Sequence, residues 1–152
     1  MKDPKRAKTL RIVLGLILLV QFILTLVILL TDHNLQTDFG IYPKYFIHWY
    51  GLLVTGIIDI IGFALLVSIN SRRVVAAGVG WSAFMVLFQI ADLATYKEVG
   101  FNSVSQFATY LFGFSKYPGS LSYIPGLYDI LLAIYVIALI VGVLGMMASR
   151  PE

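Results

Sequence analysis

The residues of this chain that could do chemistry are a few acids, amides and histidines set in long apolar stretches. Asp59 is the sharpest case. An ionisable side chain at the centre of a membrane helix costs about 2.5–3.5 kcal/mol on insertion scales, so it needs a compensating role. Helical spacing places His48, Thr55, Asp59 and Gly62 on one stripe, and Ser82, Gln89, Asp92 and Tyr96 on another. Gln21 falls near the middle of the first apolar segment, and Asp129 near the start of the last. Convergence of these faces would make a polar track from one surface to mid-membrane, with no continuation to the other. Such a track suits a ligand pocket open to one side, or one end of a proton path, better than a channel. Each group also has a structural role open to it. Asp59 could be a protonated carboxyl bonded to a neighbouring helix, or a charge paired with another subunit. Asp92 and Asp129 could be hydrated at the interface. Gln21 could form an interhelical hydrogen bond, worth about 0.6 kcal/mol on average in measured cases.

Other chemistries find little support. His48, Asp92 and Asp129 are metal-ligand types at similar depth, but there are only two histidines and no His-x-x-x-His spacing, so no metal site is expected. No Gly-x-Ser-x-Gly elbow or phosphate-cradling glycine loop occurs. With no cysteine, thiolate catalysis, disulfides and iron–sulfur clusters are excluded. No catalytic residue and no cofactor are therefore assigned. The net charge of +3 and pI near 9.2 could suggest nucleic acid. The cations instead cluster beside apolar segments, without the basic stripe and stacking aromatics of a nucleic-acid surface, so nucleic acid is not an expected partner.

The elements that position these residues follow from composition. Hydrophobic residues make up 59% of the 152, charged ones 12%, and mean hydropathy is +0.88. A soluble domain carries roughly 25% charged residues, so lipid is the natural solvent here. Four segments, about 10–30, 46–69, 74–94 and 127–148, supply the roughly 20 apolar residues needed to cross a hydrocarbon core about 30 Å thick. Pro4, Pro43, Pro118, Pro125 and Pro151 fall outside them, as expected of unbroken spanning helices. The predicted fold is an all-α integral membrane protein: one domain over 1–152, built as an antiparallel bundle of four transmembrane helices.

Orientation follows from the basic residues near the span ends. With both termini cytoplasmic, the inner side carries Lys2, Lys5, Arg6, Lys8, Arg11, Arg72, Arg73 and Arg150, against Lys44, Lys97 and Lys116 outside. Lys5, Arg6, Lys8, Arg72 and Arg73 are the expected contacts to lipid headgroups. The first apolar run is longer than a signal-peptide core and no small-x-small cleavage pattern follows it, so it reads as a retained helix. The long outer connection, about 95–126, is rich in Tyr and Phe. Within it, Phe101, Val104, Phe107, Leu111 and Phe114 recur at helical spacing. Ser103 and Gln106 form a capping box, which predicts a short interfacial helix at about 103–112.

Small residues four apart, Gly51 with Thr55, Ala76 with Gly80 and Ala138 with Gly142, are candidate close-packing positions between helices or subunits. The fourth segment has no mid-depth acid to match Asp59, which argues against an inverted-repeat transporter within one chain. The stretch Tyr42-Pro43-Lys44-Tyr45-Phe46-Ile47-His48-Trp49-Tyr50 resembles the first-loop region of EXPERA-type four-helix membrane proteins. The resemblance implies a sterol-like ligand. It covers nine residues and carries over no binding residue. The leading expectation is a non-catalytic accessory or scaffold subunit of a larger membrane complex, with membrane lipids and other integral subunits or a homo-oligomer as partners. The second is a lipid- or small-molecule-binding protein, with a transporter or an isomerase as its variants, using an outward-facing polar pocket around Asp59. The third is an oligomeric proton or ion carrier.

Overall fold

The computed structural model describes residues 3–31, 43–95 and 125–149, with side chains at 3–31, 49–91 and 130–149. Four helices occupy them: α1 (Pro4–Thr31), α2 (Pro43–Ser68), α3 (Arg72–Thr95) and α4 (Pro125–Ala148). Each is long and apolar enough to cross a membrane, so the chain is a multi-pass membrane protein, helical throughout its described spans. The four helices correspond to the four sequence-predicted spans, each starting before its span and ending within one residue of it. The interfacial helix expected at 103–112, including Ser103 and Gln106, lies outside the described residues.

Local chemistry sets the helix ends. Pro4, Pro43 and Pro125 lie outside the predicted spans, and each is the first residue of its helix. Proline is suited to that position because the first N–H groups of a helix have no intrahelical acceptor to lose. Ahead of α1, the Asp3 carboxylate accepts hydrogen bonds from the backbone N–H of Lys5 at 3.0 Å and Arg6 at 3.1 Å, a side-chain cap. Ser71 does the same for α3, its Oγ accepting from the Arg73 N–H at 3.1 Å. Only residues 69–71 separate α2 from α3.

The far end of α2 is closed by a residue from another helix. Arg11 of α1 is 6% exposed. Its Nη1 donates to the carbonyls of Leu66, of Val67 at 3.4 Å and of Ile69 at 2.7 Å. These carbonyls belong to the last turn of α2 and the residue after it, where intrahelical donors run out and the helix dipole is negative. A cation there meets both needs, which accounts for burying an arginine beside an apolar segment.

The bundle is built around α1, which packs against α2 and α4, while α4 also packs against α3. The α2–α3 contact is smaller, although a short turn joins the two. In lipid, apolar faces gain nothing by leaving solvent, so close packing and interhelical hydrogen bonds must hold helices together. Glycines allow the close approaches. A Cβ at Gly15 would lie 3.2 Å from Leu66 Cβ, and one at Gly142 would lie 2.6 Å from Val79 Cγ2. Leu14, Leu18, Ile28, Leu66, Val75, Met85, Leu131, Tyr135 and Ala138 form the buried core. Large apolar side chains elsewhere on all four helices, including Leu30, Ile61, Leu87 and Ile140, face outward.

Candidate functional site

Asp59 lies in the interior of α2 and is fully buried, at 0% exposure. Burying a carboxyl in apolar surroundings is costly unless its oxygens receive hydrogen bonds. Both do. Trp81 of α3 donates its indole Nε1–H to Oδ1 at 2.8 Å. Tyr135 of α4 donates its hydroxyl to Oδ2 at 2.7 Å. One side chain thus joins three helices, including α2 and α3, whose direct contact is small.

Each partner is held in place by its neighbours. Tyr135 is fully buried in the core cluster, and Trp81 packs beside that cluster. The Trp81 ring also stacks on Phe84, with centroids 5.6 Å apart, and Phe84 stacks on Phe88 at 5.8 Å. This aromatic ladder runs along α3 at helical spacing. It orients the indole while leaving Phe84 and Phe88 about half exposed.

A second polar group lies on α1. Gln21, also at 0% exposure, donates its Nε2 to the Leu131 carbonyl of α4 at 3.0 Å. One turn further on, Thr25 is fully buried, and its methyl faces Gly56 of α2. Gln21 Oε1 and Thr25 Oγ1 are buried without a hydrogen-bond partner. Thr55, one turn before Asp59, is buried as well.

The remaining sequence-predicted candidates are placed as follows. Gln89 is half-buried on α3, and its Oε1 has no partner. Ser82 is buried but donates to its own helix, at the Gly78 carbonyl, 2.8 Å away. The α3 group that meets Asp59 is therefore Trp81, the residue beside Ser82. The side chains of His48, Asp92 and Asp129 lie outside the described residues, although their backbones belong to α2, α3 and α4. Of the small-residue pairs, Ala138 and Gly142 sit buried in the interior, with Gly142 against Val79. Gly51 and Gly80 have open space where a side chain would be. Among the described residues no three His, Asp or Glu side chains cluster as a metal site would require.

Sequence reasoning missed Trp81, Tyr135 and Arg11. A signal for the first two was available. Trp and Tyr favour the ends of membrane spans, whereas Trp81 and Tyr135 fall well inside theirs. A buried indole or phenol wants an acceptor, and Asp59 is the acid at matching depth.

No protein-family model matches the chain, and no curated protein or solved structure matches it either.

Proposed function

We propose that this chain is a non-catalytic tetraspan membrane protein that serves as an accessory or scaffold subunit of a larger membrane assembly. One observation carries the reading: the buried acid of α2 has both oxygens engaged by donors from neighbouring helices. A carboxyl whose two oxygens are each held by a side chain of a neighbouring helix serves to join those helices. The interior is then a fixed piece of packing, and the surface left for function is the outward face of the helices, with apolar side chains on all four.

In this reading the helices alternate in direction as an antiparallel bundle. The Arg11 contacts support it, because they bring the start of α1 to the end of α2. The basic ends, including Arg11, Arg72 and Arg73, face the cytoplasm, by the excess of Lys and Arg on that side. Both termini are then cytoplasmic as well. Extraction of the tagged chain from its native membrane in a mild detergent tests the proposal. At least one integral membrane protein should copurify in constant ratio through successive columns. Recovery of the chain free of other proteins would refute it.

A second reading has one observation in its favour. Gln21 Oε1 and Thr25 Oγ1 are fully buried without partners, so the bundle retains unused polar capacity on α1. A small polar ligand could be held there, which is the lipid- or small-molecule-binding alternative. Retention of such a ligand that is lost in Gln21→Leu would favour it over the scaffold role.

A further inference from the structure

At the end of the bundle that carries the α2–α3 turn, Arg72, Arg73, Ala76 and Met146 line a shallow recess of about 140 Å³ between α3 and α4. Arg72, Arg73 and Ala76 line it from α3 and Met146 from α4, so the recess combines two cationic side chains with apolar ones. Guanidinium matches the geometry of phosphate oxygens and binds them through charge-assisted hydrogen bonds.

The surface beyond the recess continues in the same sense. Arg72, Ala76, Gly80 and Phe84 follow one another four residues apart, so they form one stripe along α3. Gly80 is exposed, with open space where a side chain would stand, and Phe84 is 53% exposed. The stripe is thus a cationic head, a shallow trough over two small residues and an aromatic floor at the far end. Twelve residues at 1.5 Å rise make it about 18 Å long, close to the roughly 15 Å that one leaflet contributes to the hydrocarbon core. Gly80 does not bring two of the described helices together, so close packing among them does not account for it.

We infer that this stripe binds one anionic phospholipid, its phosphodiester in the Arg72–Arg73 recess and one acyl chain along the Ala76–Gly80 trough. A free phosphate would satisfy the arginines but would leave the trough unused. The length match favours the lipid.

The full chain, purified in a neutral detergent, is titrated with phosphatidylglycerol, with phosphatidylcholine of the same acyl chains, or with inorganic phosphate. Bound mass is read by native mass spectrometry. One phosphatidylglycerol should be retained about tenfold more tightly than phosphatidylcholine, because both carry the phosphodiester but the choline cation of the second is repelled by the two arginines. Arg72→Gln combined with Arg73→Gln should abolish that preference. Lysine at both positions should keep part of it, which separates loss of charge from loss of fold. Gly80→Leu should weaken both lipids alike by filling the trough. Equal retention of the two lipids by the unaltered chain overturns the inference, as does a preference that survives the double glutamine variant. Inorganic phosphate held as tightly as phosphatidylglycerol would assign the recess to a free anion and overturn the lipid. A Gly80→Leu chain that keeps the lipid but loses a dimer mass would give the trough to a second copy, with the same consequence.

Discussion

Tyr135→Phe isolates the contribution of the Asp59 junction. The substitution removes one oxygen and keeps the ring, so the packing around a fully buried side chain is preserved. What is lost is the hydrogen bond to Asp59 Oδ2, leaving that oxygen buried with no donor while Oδ1 keeps Trp81. Interhelical hydrogen bonds measured in a membrane protein average about 0.6 kcal/mol and reach about 1.7. A buried acceptor stripped of its donor costs about 1–3 kcal/mol. The ranges overlap at a loss of about 1–1.7 kcal/mol, expected for this variant in equilibrium unfolding by added SDS in mixed micelles, followed by circular dichroism. The sharper test is a change of background. In Asp59→Leu, the Tyr135 hydroxyl is itself left without an acceptor, so its removal there should be neutral or stabilising. The coupling between the two substitutions should therefore be at least about 1 kcal/mol. Equal losses in the two backgrounds would refute the reasoning, because the hydroxyl would then stabilise through something other than Asp59.

Two further substitutions follow from the packing. Gly142→Ala places a Cβ 2.6 Å from Val79 Cγ2, and a β-branched neighbour on a helix has little rotamer freedom to yield. A loss of about 1–3 kcal/mol is expected in the same unfolding assay, whereas Gly80→Ala, facing open space, should lose nothing. Similar losses at the two glycines would remove the close approach of α3 and α4 as the cause. Arg11→Leu should cost about 1.5–3 kcal/mol, since it leaves the end of α2 without its charged donor. Arg11→Lys should recover part of that, and faster amide exchange in Arg11→Leu should be confined to the last turn of α2; unchanged exchange there would contradict the capping role.

The four helices were legible because apolar length and composition reflect the thickness of a bilayer, a constraint needing no knowledge of neighbours. Proline placement was legible in part. The spans were expected to exclude Pro4, Pro43 and Pro125, yet each opens a helix, because the first turn extends past the apolar run. Asp59 stood out from its cost alone. Its partners did not, because spacing along α3 identifies a face only to within a residue or two. The polar stripe through Ser82 was the more conspicuous, but Ser82 bonds the carbonyl one turn back, while the adjacent Trp81 reaches across. Arg11 was counted as a cation of the inner rim. Its burial against α2 depends on which helix lies beside it, and no single-segment pattern carries that. The same limit applies to Gly80: its spacing from Ala76 suggested close packing, but only the assembled bundle decides which side of a helix is inside.

The accessory-subunit proposal is tested most directly by the native mass of the particle released from its own membrane. The chain alone is 16.9 kDa. A discrete larger mass is expected, falling into this chain plus one or more different integral membrane proteins in whole-number ratio when the detergent is made harsher. A particle of a single 16.9 kDa chain with lipid alone, monodisperse under the mildest conditions that extract it, would contradict the proposal.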